Sequence, residues 1–310
     1  MTDLSEPDGF FRSDNLMSNE TTFQHVIPDL LKAVKPGRVY VGVGPEQNFT
    51  YVVALKPAMV FLVDIRRGNL DLQLMYKALF ELSTDRADFV SRLFSKKRPD
   101  GLAAKSTAEE LFSAFWNVDT SDELYAENLA AIQNHLSKQH KFELSPDDLR
   151  GIEYVYHSFY WFGPRIRYSS TGSFGGPFQP TYTDLMTQAD ASGVARSYLA
   201  TEEHFQFLKA LQAKNLVVPV VGNFSGAKAL RGVGQYIKQK GGMVSAFYLS
   251  NVEDYLKMDG VWREFCGNAA SLPIDASSMF IRSVRPPAGS PTFSLRSELG
   301  EMLPEVKDCH

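Results

Sequence analysis

Apolar residues fall along this chain in two patterns that alternate. Short unbroken runs, at about 38–43, 59–64, 216–221, 243–249 and 278–283, have the length and composition of buried strands. Between them apolar positions recur three and four residues apart. That spacing predicts helices over His25–Val34, Glu46–Leu55, Asn69–Phe94, Thr107–Asn117, Ser121–Gln139, Ser145–Phe162, Thr183–Gln188, Glu202–Lys214 and 226–239. Shorter helical segments start at Val252 and span Trp262–Ala270. Ser18, Thr107 and Ser145 are placed to cap helices, and Lys56-Pro57 ends one, because proline disfavours helical geometry in the residue before it. Pro219 puts the third strand at an edge or makes it start late. Strands alternating with helices predict an α/β fold with a mostly parallel, doubly wound sheet.

The alternation breaks at about 100–163, where three helical patterns follow with no strand between them, and at 164–182, rich in Gly, Pro, Ser and Tyr. The expectation is one α/β domain over 9–285, carrying a helical insertion that covers one end of the sheet and then a long loop. The aromatic run at 154–162 is expected in the core. Residues 1–8 read as a loose leader and 286–310, with repeated Pro and Ser, as a flexible tail. At 44% hydrophobic and 22% charged, the 310 residues suit a globular domain with a sizeable core, and a net charge of −4 argues against broad nucleic-acid binding. The acidic opening lacks the apolar stretch of a signal peptide, and no apolar window is long enough to predict a transmembrane helix. Cys266 and Cys309 provide no disulfide framework. A cytoplasmic protein with a small-molecule ligand is expected, with neither nucleic-acid nor membrane partner.

The candidate chemistry concentrates between the first two strands. Gly42-Val-Gly44 closes the first, a helix follows, and Asp64, 22 residues after Gly42, closes the second. These are the parts of a nucleotide-binding βαβ unit. Gln47 stands where a dinucleotide fingerprint has its third glycine, and Glu46 beside the helix start would repel a pyrophosphate. Both count against NAD and suit a ligand without phosphate, such as S-adenosylmethionine, whose ribose hydroxyls would meet Asp64. Candidate cofactor-binding residues are Gly42, Gly44, Gln47, Asn48, Asp64, Ile65, Arg66 and Asn223. Candidate substrate-binding residues are Asn15, Asn19, Tyr51, Arg67, Asn251 and Glu253. Arg66 and Arg67 could instead neutralise Asp64, while Arg165 and Arg167 could meet an anion. Gly222, Gly226 and Lys228 superficially suggest a P-loop, but no hydroxyl residue follows the lysine at the required place. The six histidines contain no His-Glu-x-x-His, so no metal site is expected, and no Gly-x-Ser-x-Gly elbow appears.

Taken together, Ser13-Asp14-Asn15-Leu16, Ser18-Asn19-Glu20, Gly42-Val-Gly-Pro-Glu-Gln-Asn-Phe, Asp64-Ile-Arg-Arg, Pro180-Thr-Tyr, Ser197-Tyr-Leu-Ala, Val220-Val-Gly-Asn-Phe and Ser250-Asn-Val-Glu resemble a bacterial family of uncharacterised proteins first catalogued from Leptospira. The resemblance covers about residues 10–285. It implies a Rossmann-like fold similar to class I S-adenosylmethionine-dependent methyltransferases, with no activity attached. Asn223 departs from the aspartate expected of relatives at that position.

Two functions fit these features. One is a methyltransferase-like enzyme acting on a small-molecule acceptor, because methyl transfer needs mainly alignment of the acceptor with the sulfonium. The other is a non-catalytic ligand-sensing or interaction module on the same fold, using the insertion helices and the aromatics of 154–162 as a partner surface. Whether Asp64 faces an open cleft or is closed off by its neighbouring arginines separates them.

Overall fold

Each of the five apolar runs forms a strand, and a sixth strand joins them in one sheet. The computed structural model describes residues 1–168, 179–285 and 295–309. A 3-10 turn (Phe23–Val26) leads into α1 (Ile27–Ala33), β1 (Val39–Gly42), α2 (Gln47–Leu55), β2 (Met59–Asp64) and α3 (Arg67–Leu82). A purely helical stretch follows: α4 (Arg86–Leu93), α5 (Ala108–Trp116), α6 (Asp122–Asn134), α7 (Pro146–Phe162), α8 (Tyr182–Thr187) and α9 (Glu202–Ala213). The chain then returns to the sheet through β3 (Val217–Val221), α10 (Ala229–Gln239), β4 (Val244–Ser250), α11 (Val252–Met258), α12 (Trp262–Ala270), β5 (Met279–Val284), β6 (Arg296–Glu301) and α13 (Met302–Glu305).

The strand order is β3-β2-β1-β4-β5-β6. β1 pairs in parallel with β2 on one side and β4 on the other, β2 with β3 and β4 with β5, and only β6 runs antiparallel. This is an α/β fold with a six-stranded, mostly parallel sheet, compatible with a Rossmann-like arrangement. The chain leaves β1 towards β2 and later returns to its other side as β4. The connections leaving the carboxyl ends of β1 and β4 therefore run to opposite sides, and such a reversal is where open α/β sheets form their ligand crevice. Pro219 lies in β3, an edge strand, where its missing N–H costs no ladder bond on the open side.

Several sequence expectations are corrected. The helix expected over Asn69–Phe94 is two helices. Ser83 Oγ turns back to the Leu79 carbonyl at 2.6 Å, and Asp85 caps α4 by accepting from Asp88 N–H at 2.8 Å. Apolar periodicity continues across the break, so it could not reveal these local bonds. The insertion does not cover one end of the sheet; α7 packs along α3, as does α9. α3 is thus enclosed between the sheet and a second helical layer, and every residue from Asn69 to Phe80 is buried. The aromatics of 154–162 divide by face: Tyr156 and Phe159 are buried, whereas Tyr154 and Trp161 are 48% and 68% exposed. Thr107 and Ser145 do cap α5 and α7, each in a reciprocal capping box. Ser18 caps no helix.

The chain's ends are also corrected. Residues 296–309 are no tail. β6 pairs with β5 from Met279↔Glu301 to Val284↔Arg296, Met302 and Val306 are buried, and Cys309 is disulfide-bonded to Cys266 on α12, with Cα atoms 5.3 Å apart. The Pro- and Ser-rich composition behind the tail expectation belongs to 286–294, outside the described residues, as do 169–178 of the expected loop. The leader is docked rather than loose: Glu6 N–H donates to the Val221 carbonyl at 2.8 Å and Gly9 N–H to that of Ile65 at 2.9 Å. Among the described residues, no helix is long and apolar enough to cross a membrane.

Candidate functional site

A cleft of about 430 Å³ opens at the carboxyl edge of the sheet, within the size range of small-molecule sites. Four strand ends build it: Val43–Pro45 after β1, Asp64–Arg66 after β2, Gly222–Ser225 after β3, and Tyr248, Ser250 and Asn251 at the end of β4. The segment Phe10–Asn19 supplies the roof, and Tyr255, Leu256 and Asp259 of α11 and its C-terminal end form a wall. Phe11 meets Tyr255 edge-on at 5.2 Å, holding roof and wall together.

The glycine turn has two jobs. Gly44 adopts φ +78° with open space around its missing side chain, so it leaves room at the cleft floor. Gly42 is a packing position: a Cβ there would overlap Asn48 Oδ1 and the Tyr40 ring. Asn48 faces away from the cleft and staples the turn, donating to the carbonyls of Val43 (2.9 Å) and Pro45 (2.8 Å) while accepting from Tyr40 Oη (2.9 Å).

Beneath the floor lies a buried polar network centred on Glu20. Its carboxylate accepts from Gln47 Nε2 at 2.8 Å, Tyr248 Oη at 2.6 Å and Ser250 Oγ at 2.7 Å. Gln47 also donates to Tyr51 Oη at 3.1 Å and accepts from Ser18 Oγ. Ser18 N–H donates to Glu46 Oε1 at 3.2 Å, leaving the buried Oε2 without a partner. Burial pushes the Glu46 carboxyl up to about 8, against which the Ser18 amide is too weak. Glu46 is therefore neutral at pH 7 and lies outside the cleft lining. The expectation that it repels an anion is corrected: it anchors the roof.

Asp64 is closed off by one of the two arginines. Arg66 donates to it through the backbone N–H (2.9 Å), Nε (3.1 Å) and Nη2 (3.0 Å), and its remaining Nη1 reaches the Asp14 carbonyl. Acid and guanidinium are 4% and 8% exposed and share the cleft lining as a fixed pair. Arg67 turns away to Asp148, its Nε donating at 2.5 Å.

The leader's acids occupy the nearby helix N-termini. Asp8 accepts from Arg67 N–H at 2.6 Å, at the start of α3. Glu6 accepts from the N–H groups of Asn223 (2.9 Å), Lys228 (2.8 Å) and Ala229 (3.0 Å) in the turn entering α10. The P-loop-like turn is thus an anion nest, and the anion is the chain's own carboxylate.

Of the residues singled out from sequence, Gly44, Asp64, Ile65, Arg66, Asn223, Asn15, Asn19 and Asn251 line the cleft. Gly42, Gln47, Asn48, Tyr51, Arg67 and Glu253 do not; Glu253 is taken by Arg282, whose Nε donates to it at 2.6 Å. Two lining residues are held in the left-handed region, Asn15 at φ +45° and Ser250 at φ +51°. The buried Oδ1 of Asn15 has no hydrogen-bond partner. Asn15 and Ser250 thus combine left-handed backbone with positions on the cleft lining. Sequence reading missed Glu6, Glu20, Tyr248 and Tyr255, since nothing local marks a glutamate whose partners lie two hundred residues away. Among the described residues, the lining contains no His, Cys, Lys or Glu.

Over residues 16–296 the chain matches a family described as a domain of unknown function, DUF7790. No curated protein matches it.

Proposed function

We propose that this chain, which belongs to the DUF7790 family, binds a small polar ligand without phosphate in the cleft, and that S-adenosylmethionine is the ligand. Asn15 carries this reading: it is a left-handed residue on the cleft lining whose amide oxygen has no partner within the fold and gains one if the side chain turns to a ligand donor such as an adenine amino or ammonium group. Its neighbours Asn19, Asn223 and Asn251 add neutral donors and acceptors. Glu6 and Asp8 fill the N-termini of α10 and α3, which takes the turns after β3 and β2 from a phosphate and speaks against dinucleotides and nucleoside triphosphates. A lining whose described residues include no His, Cys, Lys or Glu suits methyl transfer to a small acceptor, where alignment does most of the catalysis.

The second reading, a ligand sensor without catalysis, draws support from the Asp64–Arg66 pair, because a ribose diol has to compete with a guanidinium for the acid. Calorimetry and thermal melting with S-adenosylmethionine and S-adenosylhomocysteine test the proposal. At a hundredfold excess over Kd, binding adds about 2.7 kcal/mol, raising Tm by roughly 4 °C for a chain of 310 residues. Asn15→Ala should weaken the binding with the fold intact. Folded protein that shows neither heat nor shift with either compound removes the S-adenosylmethionine reading. Binding without methyl transfer to any acceptor in a broad panel favours the sensor.

A further inference from the structure

A second cluster lies at the far end of α3, about 21 Å along the helix from its first residue, counting from Arg67 to Glu81. Glu81 Oε2 stands 2.8 Å from His135 Nε2 and 2.7 Å from His140 Nε2. The three side chains are 9–14% exposed and offer ligand atoms within 4.8 Å of one another. Five residues apart on an α-helix, two side chains point about 140° away from each other. Here His135–Gln139 is a π turn continuing α6, and His140 N–H closes it by donating to the His135 carbonyl at 3.1 Å. The wider turn brings both imidazoles to one side, their ring centroids 5.0 Å apart, facing the same carboxylate oxygen. π turns are uncommon, carry a cost, and concentrate at functional sites.

We propose that Glu81, His135 and His140 form a binding site for a divalent transition-metal ion, of which zinc is the best fit. Two imidazole nitrogens and one carboxylate oxygen are a zinc-type donor set, with a fourth position left for water. The partly exposed His140 edge gives solvent that access. Ligands held at about 2.0–2.1 Å in a tetrahedron stand about 3.3 Å apart, so the donors open by about half an ångström to take the ion. Lys77 Nζ holds the other carboxylate oxygen at 2.6 Å and the Gln212 carbonyl at 2.6 Å, keeping Glu81 monodentate and oriented. The ammonium also repels the ion, which sets the expected affinity nearer micromolar than the tightest structural sites. The ion would lock the α6 turn onto α3 and so fasten the helical insertion to the layer beside the sheet. Sequence search for His-Glu-x-x-His has no template for a set divided between two helices.

The test is titration of the full, chelator-stripped chain with zinc, competed against a chromophoric indicator, and with cobalt followed by visible absorption. One zinc per chain is expected, together with a rise in Tm and tetrahedral cobalt bands. His140→Gln, the variant least expected to disturb packing, should weaken binding by about tenfold or more and remove the Tm rise, with unchanged far-ultraviolet circular dichroism. Zinc binding that is equal in wild type and folded His140→Gln overturns the proposal. Should that variant misfold, the wild-type cobalt spectrum decides, and absent tetrahedral bands overturn it as well.

Discussion

Single carboxyls decide much of this protein's behaviour because several are buried in unlike surroundings. Glu46 is raised by burial from an ordinary 4.5 to about 8, and Asp71 from 3.8 to about 7, its burial reinforced by Asp148. A carboxyl raised in the folded state keeps its proton at pH values where the unfolded chain has lost it. Its contribution is complete below the unfolded pKa and is lost as pH rises through the folded one. Stability should therefore fall between about pH 5 and pH 8.5, and Glu46→Gln should flatten the fall. The glutamine keeps the bond from Ser18 and cannot ionise, so at pH 8.5 it should be more stable than wild type by on the order of 2 kcal/mol in urea titrations. Parallel pH profiles for the two proteins would refute this. Arg66 behaves differently, since Arg66→Met strands a buried Asp64 charge and should cost about 3–5 kcal/mol. Adding Asp64→Asn to it should recover part of that loss in the same urea titrations.

At the scale of elements, the leader acts as a set of helix caps. Glu6 satisfies three backbone N–H groups at the entry to α10, whereas Asp8 satisfies one at the entry to α3. Glu6→Ala should therefore cost about 1–2 kcal/mol and Asp8→Ala less, about 0.5–1 kcal/mol. Chemical denaturation distinguishes them, and equal losses would argue that Glu6 adds nothing beyond an ordinary cap. Helix α3 shows the reverse relation between element and neighbours. Its polar residues Asn69, Asp71, Gln73 and Lys77 are all buried, because α7 and α9 cover the face that would otherwise meet solvent.

For the molecule as a whole, β6 determines how the sheet ends. It covers β5 with an antiparallel edge carrying Arg296, Glu298 and Glu301, charges of the kind that discourage edge-to-edge association. Removing residues 286–309 would bare β5, an apolar strand, and also break the Cys266–Cys309 link. The shortened chain should scatter light at concentrations where the full chain remains monodisperse, and a soluble product of unchanged Tm would show that the edge needs no cover.

The sequence by itself determined five of the six strands, most of the helices, the caps at Thr107 and Ser145, and the convergence of Gly44, Asp64, Asn223 and Asn251 on one edge, while β6 fell in the expected tail. Those features depend on local periodicity and on the rule that parallel strands bring their carboxyl ends together. Only the tertiary structure decided which polar residues face the cleft and which serve beneath it. Gln47, Asn48 and Tyr51 follow the glycine turn in sequence yet are buried in the core, while Glu6 reaches Asn223 and Glu20 reaches Tyr248 and Ser250 across most of the chain. The same holds for Glu81, His135 and His140, which a π turn and the packing of two helices bring within hydrogen-bonding distance. A side chain's direction depends on what packs around its element, and that information is spread over residues too distant for any local pattern to carry.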